Sequence, residues 1–315
     1  MRYRPLGESG LMVSVVGLGC NNIGRPQTRT ATLEGSRAVV HAAIDAGITL
    51  FDTSDGYGRP RGIGEELLGT CLAGRRDDVI IATKFGWEVG GANGADWGAR
   101  GSRRYIRRAI ETSLRRLGTD WIDLYMYHRP DGLTPIEETL SALTELVTAG
   151  LVRYVGSSNM AAWQVVEADC IARSAGTVRF VSAENEYSLL DRDAERELLP
   201  ACAKYGVGVL PYFPLANGLL TGKYSRAAAP PAGTRIGDIK PSAHTHADWD
   251  RIEALTKYAE DRGVTLLDVA IGGLAAQPAV GSVIAGATSP EQIRANVAAG
   301  DWVPSADDVA ALNAL

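Results

Sequence analysis

Eight short apolar runs recur along the chain with amphipathic stretches between most of them, and this alternation limits the fold more than any other feature. The runs are Val13–Cys20, Ile48–Thr53, Val79–Phe85, Trp121–His128, Val152–Ser157, Phe180–Glu184, Val207–Tyr212 and Val280–Ala287. Each is rich in Val, Ile, Leu and aromatic residues and apolar on both faces, as strands of a sheet covered on both sides must be. The intervening segments carry helix signals. Ser102–Leu117 places Ile106, Ile110, Leu114 and Leu117 on one helical face. Thr134-Pro135-Ile136-Glu137 and Ser289-Pro290-Glu291-Gln292 each set a hydroxyl residue before proline and an acid or amide three residues on, the pattern of a capped helix start. The alternation predicts an α/β fold, a (β/α)8 TIM barrel.

The chain has 315 residues, more than the ~250 typical of such a barrel, and the surplus has places to go. Residues 1–14, with Gly7-Glu8-Ser9-Gly10 between strand-like pieces, predict an N-terminal β-hairpin. Gly86–Gly101, rich in Gly, and Pro214–Ala247, with both Gly and Pro, are long loops, and both follow strands. Loops in that position form the C-terminal face of a barrel, where its chemistry sits. No composition shift marks a boundary, so residues 1–315 read as a single domain. The rival fold is a doubly wound dinucleotide domain, supported by Gly17-Leu18-Gly19-Cys20-Asn21-Asn22-Ile23-Gly24. Asn22 stands where that pattern needs a small residue, so these glycines read as permitting a tight strand exit.

The net charge is −5, from 32 basic and 37 acidic residues, which leaves no whole-molecule field to gather nucleic acid or an anionic membrane. The arginines of Ser102–Leu117 read as a solvated helix face, because the chain as a whole is acidic. No run is long enough to span a membrane, and Met1-Arg2-Tyr3-Arg4-Pro5 is not followed by the apolar stretch of a signal peptide. Cys20, Cys71, Cys170 and Cys202 form no C-x-x-C pair, and the histidines have no zinc-ligand spacing. A reduced cytoplasmic protein with no metal site is the expectation.

Polar residues gather at the strand ends: Asp52-Thr53-Ser54-Asp55-Gly56-Tyr57, Thr83-Lys84, Tyr127-His128-Arg129 and Ser157-Ser158-Asn159. A tyrosine, with its ordinary pKa near ~10, is a weak acid at neutral pH. A buried lysine beside it favours the phenolate, and an aspartate keeps that lysine charged. With a histidine to orient a carbonyl, the set suits carbonyl reduction, the hydride coming from a cofactor. A lyase or aldolase using Lys84 as Schiff-base nucleophile is an alternative. Phe85, Trp87, Trp97 and Arg129, with Cys20 and Ile23, lie in loops or strand ends that could line a substrate pocket.

Taken in order, Phe51-Asp52-Thr53 with Tyr57-Gly58, Ala82-Thr83-Lys84, Asp123-Leu124-Tyr125 leading to His128, and Gly156-Ser157-Ser158-Asn159 resemble the motifs of aldo-keto reductases. Glu186-Tyr187-Ser188-Leu189-Leu190, Pro214–Tyr224 and Gly286–Asn296 extend that resemblance over nearly the whole chain. It implies a catalytic tetrad of Asp52, Tyr57, Lys84 and His128, with Tyr57 as acid/base. It implies NADPH as cofactor, with NADH open, and an aldehyde or ketone as substrate. Ser158, Asn159 and Glu184 would meet the carboxamide, and Tyr212 would stack on the nicotinamide. Leu215, Gly218, Thr221 and Lys223 would meet the pyrophosphate, and Gly286, Ala287, Gln292 and Asn296 the adenosine end. Arg235 and Ser289 are further candidates for the phosphate.

Four residues depart from the family pattern. Glu184 replaces the usual glutamine, Phe213 a usual serine, and Gly286 and Gln292 stand where many relatives hold Lys and Arg. The resemblance extends to the β subunits of voltage-gated potassium channels, so a cofactor-binding sensor or regulatory subunit is the alternative from a different class.

Overall fold

The computed structural model describes residues 1–315. Two short antiparallel strands, β1 (Tyr3–Pro5) and β2 (Met12–Ser14), form the expected hairpin. Eight parallel strands follow: β3 (Val16–Gly19), β4 (Leu50–Asp52), β5 (Ile80–Phe85), β6 (Ile122–Tyr127), β7 (Val152–Ser158), β8 (Phe180–Glu186), β9 (Gly208–Tyr212) and β10 (Val283–Gly286). They pair in sequence order, and β10 returns to pair with β3. A bridge between Val209 and Val280 joins the two remaining edges. Val209 N donates to Ala279 O at 2.7 Å, and Gly281 N donates to Val209 O at 2.8 Å. Helices between and after the strands pack outside this cylinder, giving the (β/α)8 TIM barrel. No helix is long and apolar enough to cross a membrane.

The first apolar run serves two elements. Val13–Cys20 gives Met12–Ser14 to the hairpin and Val16–Gly19 to the barrel. Ser14 fixes the break: its N–H reaches Thr49 Oγ1 at 2.9 Å, and its hydroxyl donates to Val16 O at 2.7 Å. Gly19 ends β3 and leads into the turn Cys20–Asn22, as expected of a strand exit, whereas Gly17 lies inside the strand. A Cβ on Gly17 would meet Ile284 Cδ1 at 2.8 Å, so the glycine makes room for a side chain of β10 inside the barrel.

The hairpin stops the end of the barrel where the strands begin. Leu6, Leu11 and Val13 pack there against Leu50, Ala82, Leu124, Met126, Leu210 and Ile284, all buried. Arg4 fastens it, donating to Ala275 O at 2.8 Å and to Val280 O at 3.0 Å.

Helix Arg103–Leu117 starts at Ser102, whose hydroxyl accepts from Tyr105 N, and buries Ile106, Ile110 and Leu117. Arg103 pairs outward with Glu145 at 2.5 Å. Arg116 instead turns inward, donating to Glu65, Asn93 Oδ1 and Ala92 O. Ser289 caps helix Pro290–Ala299 as expected, accepting from Gln292 N. Thr134 does not cap helix Ile136–Thr148, because its backbone N–H and hydroxyl both donate to Asp131. The segment Pro214–Ala247 holds short helical turns at Ala216–Thr221, Arg235–Ile239 and Ser242–Thr245.

Candidate active site

Strand alternation builds the site. Inward side chains recur every second residue, so the residue two beyond each buried apolar position reaches the far end of the barrel on the same face. Leu50 is followed by Asp52, Ala82 by Lys84, Met126 by His128 and Leu210 by Tyr212. On β8, Ser182, whose hydroxyl meets Met126 Sδ at 3.8 Å, is followed by Glu184. A cleft of about 930 Å³ opens above them. Its lining includes Asp52, Tyr57, His128, Tyr212, Lys223, Arg235, Gln292 and Asn296.

Lys84 is the centre of this arrangement and is wholly buried. Its ammonium bonds Asp52 Oδ1 directly, donates to Thr53 O at 3.0 Å and reaches Tyr57 Oη at 3.4 Å. Glu184 Oε2 stands 3.2 Å away on the other side. Burial alone would lower the Lys84 pKa, but the adjacent Asp52 and Glu184 carboxylates overcome this and hold it well above the usual lysine range. Burial raises Asp52 against the pull of Lys84. Burial likewise raises Glu184, with the Asp52 charge adding to the effect and Lys84 opposing it.

The tyrosine departs from the sequence-based expectation. Lys84 favours its phenolate, yet burial, with the Asp52 and Glu184 charges, wins and raises the Tyr57 pKa above its ordinary value. Tyr57 is therefore a phenol throughout the neutral range. His128 stays a neutral imidazole, because burial and the nearby Lys84 and Arg129 cations push its pKa well below the usual value. Its Nδ1 lies 3.2 Å from Ser54 Oγ, which also donates to Asp55 Oδ1 at 3.2 Å. Burial, with the charge of Glu65, pushes Asp55 up to about 7.

Beside the ion cluster, a hydrogen-bonded row lines the cleft. Tyr212 Oη donates to Asn159 Oδ1 at 2.8 Å, Asn159 Nδ2 to Ser158 Oγ at 3.0 Å, and Ser158 Oγ to Glu184 O at 2.9 Å. Leu215, Gly218, Thr221, Lys223, Arg235, Gly286, Gln292 and Asn296 all border the cleft as well. The Arg235 guanidinium lies 5.4 Å from the centre of the Phe213 ring and donates to Asn217 Oδ1 at 3.2 Å. Burial and the neighbouring Arg25 lower it to about 10, and no carboxylate is among its charged neighbours. A half-buried cation in that state suits an anionic ligand.

Some expected residues are not brought to the cleft. Phe85 is wholly buried, stacked on Tyr127 with centroids 5.1 Å apart, because the residue after inward Lys84 must face outward. Trp97 is 75% exposed under Arg104, well outside the cavity lining. Arg129 lies over the ring of Trp87, and only Trp87 of that pair borders the cleft. Ser289 and Ala287 do not border it; Ser289 serves its helix cap and Ala287 is buried. Cys20 and Ile23 are likewise buried without bordering it. Sequence reasoning missed Asn21, Gln27, Thr28, Arg29, Arg61 and Asn217, all cleft residues on loops or short helical turns. Loops have no periodicity, and only the position of Arg61 just after Tyr57-Gly58 could have flagged it.

Comparison with known proteins agrees with this architecture. The sequence profile of the Aldo/keto reductase family matches residues 15–315. A probable voltage-gated potassium channel subunit beta from Oryza sativa subsp. japonica is 36% identical, covering 96% of this chain and 92% of that protein. L-glyceraldehyde 3-phosphate reductase from Escherichia coli (strain K12) is 34% identical, with 95% and 87% covered. Versiconal hemiacetal acetate reductase from Aspergillus parasiticus is 35% identical, with 88% and 86% covered. With the barrel, the profile and reductase relatives spanning nearly the whole length in agreement, this chain belongs to the aldo/keto reductase family of oxidoreductases, whose general reaction is the reduction of carbonyl compounds.

Proposed function

We propose that the chain reduces an aldehyde or ketone to an alcohol, or runs the reverse reaction, with NADPH as its nicotinamide cofactor and NADH as the alternative. The observation that carries this reading is the contact of one buried ammonium, Lys84, with both Asp52 and Tyr57 at the floor of an open cleft. The cleft suits a dinucleotide: at about 930 Å³ it is lined both by Arg235, a cation with no carboxylate partner, and by the buried Glu184, whose Oε2 lacks a hydrogen bond. When bound, such a cofactor supplies the hydride.

The residues divide the remaining work. Tyr57, kept protonated by burial, gives its phenolic proton to the carbonyl oxygen as negative charge develops there. Lys84 stabilises the phenolate that results, and Asp52 holds the ammonium in place. His128, neutral and oriented through Ser54, can hydrogen-bond the substrate oxygen without competing as an acid. Ser158 and Asn159 offer polar groups for a carboxamide, and Tyr212 a ring face beside it. Trp87, set 5.0 Å from the His128 ring, forms an apolar wall for the substrate.

The decisive experiment mixes the protein with NADPH or NADH and a panel of aldehydes and ketones, following the loss of reduced-nicotinamide absorbance. Binding and turnover support the proposal, and absence of binding by either nucleotide refutes it. The rice relative, named as a channel subunit, favours a second reading, in which the cofactor is bound for a regulatory role. Tight binding with no turnover across the panel would decide for that role. Borohydride trapping of a substrate adduct on Lys84 would replace both readings with Schiff-base chemistry.

A further inference from the structure

Two carboxyl groups face a single ammonium at the active end of the barrel. Asp52 makes the direct bond to Lys84. Glu184 lies within 3.2 Å of the same nitrogen, yet its Oε2 accepts no hydrogen bond, is buried, and belongs to a side chain bordering the cleft. The ionisable groups around it are Asp52 on β4, Lys84 on β5, Tyr57 on the loop after β4, and Tyr212 on β9, which also feels Glu186. Cys20, following β3, adjoins Asp52 and Lys84. Lys84 is the only cation acting on Glu184. With both carboxyls ionised, the cluster would bury one uncompensated negative charge, at a high desolvation cost. Asp52 holds the better contact to the ammonium, so the proton that removes this excess resides on Glu184.

We propose that Glu184 is a proton-exchanging residue of the cleft, coupling the binding of an oxidised dinucleotide, whose nicotinamide ring is cationic, to the release of one proton. The inference rests on the dinucleotide reading of the cleft. A cationic ring beside Glu184 supplies the second positive charge that the cluster lacks, so the carboxyl gives its proton to solvent and remains as carboxylate. Linkage then requires that the affinity for the oxidised form rise with pH, by up to about tenfold per pH unit while free Glu184 is protonated. The reduced ring is neutral and produces no such rise. A glutamine at this position could provide neither the charge nor the proton.

The test uses the intact chain and isothermal titration of NADP⁺ and NADPH, each in buffers of different ionisation enthalpy, from mildly acidic to mildly alkaline pH. The two nucleotides share their phosphates, so NADPH controls for phosphate protonation. In the wild type, NADP⁺ should release close to one proton at acidic pH and NADPH none, with the NADP⁺/NADPH affinity ratio climbing as pH rises. In Glu184→Gln, the differential proton release should vanish and the ratio should become independent of pH. A pH-independent ratio in the wild type overturns the proposal without requiring any variant. Persistence of the differential release in Glu184→Gln overturns it as well. Binding of both nucleotides without differential release sinks this inference alone, whereas failure of either to bind sinks the dinucleotide reading with it.

Discussion

Where the barrel strands begin, Leu6, Leu11 and Val13 fill the interior against Leu50, Leu124 and Leu210. Two residues beyond Leu50 and Leu210 on those strands, the interior holds Asp52 and Tyr212, and the neighbouring strand carries Lys84. The first end removes apolar surface from water and contributes stability in proportion to the area buried. The second buries an ammonium between two carboxyls, an arrangement whose desolvation cost rivals its Coulombic gain. A single alternation therefore gives one strand a stabilising half and a chemically active half. The difference teaches that the active end is held by its neighbours more than by its own interactions.

The separation can be broken in five places. Tyr57→Phe should lower turnover by about 10²- to 10⁴-fold, the usual worth of a positioned acid, with Tm close to wild type because Lys84 keeps its bonds to Asp52 and Thr53 O. A large loss of Tm in this variant would mean that the active end also carries stability. Leu50→Ala should do the opposite, costing about 2–5 kcal/mol in urea unfolding while kcat well below the transition stays unchanged.

Asp55 offers a titratable comparison. Its folded pKa of about 7 lies above the ordinary aspartate value, so the folded state holds a proton that the unfolded state has already lost. This contribution is fully present below about pH 4, the unfolded pKa, and is lost as pH rises through about 7. Asp55→Asn should flatten that part of the urea midpoint against pH; an unaltered slope would place its origin elsewhere. Smallest of all, Trp97→Ala should leave KM unchanged, whereas Trp87→Ala should raise it severalfold. Equal effects would show that Trp97 reaches the substrate after all.

Much of this was legible because strands carry a period. The apolar runs located every barrel strand, and the polar residues at their ends pointed to Asp52, Tyr57, Lys84 and His128. The same period excludes Phe85, since Lys84 and Phe85 cannot both face inward, and an alternation count would have removed it. Loops gave no such guidance: Trp97 and Arg61 are both loop residues rich in contact potential, and only the fold separates the exposed one from the cleft-lining one. The split of Val13–Cys20 into two strands was hidden because both halves are apolar, and the bend depends on hydrogen bonds from Ser14 to Val16 and Thr49. The high Tyr57 pKa was beyond reach for a different reason. It depends on whether burial or Lys84 wins, and residue types carry no measure of burial depth.

The hairpin has a consequence for how the chain comes to be folded as it is made. Residues 3–14 leave the ribosome before the barrel strands, but Arg4 is tied to carbonyls at Ala275 and Val280, and Val16–Gly19 pairs on one side with Val283–Gly286. Those partners are synthesised more than two hundred residues later. Until they emerge, the first strand has an open edge and the plug lacks its anchors. Both the floor anchors and the seam of the barrel therefore depend on partners made late in synthesis, β10 and the residues before it. A nascent chain ending before residue 283 exposes that edge to any other strand able to pair with it.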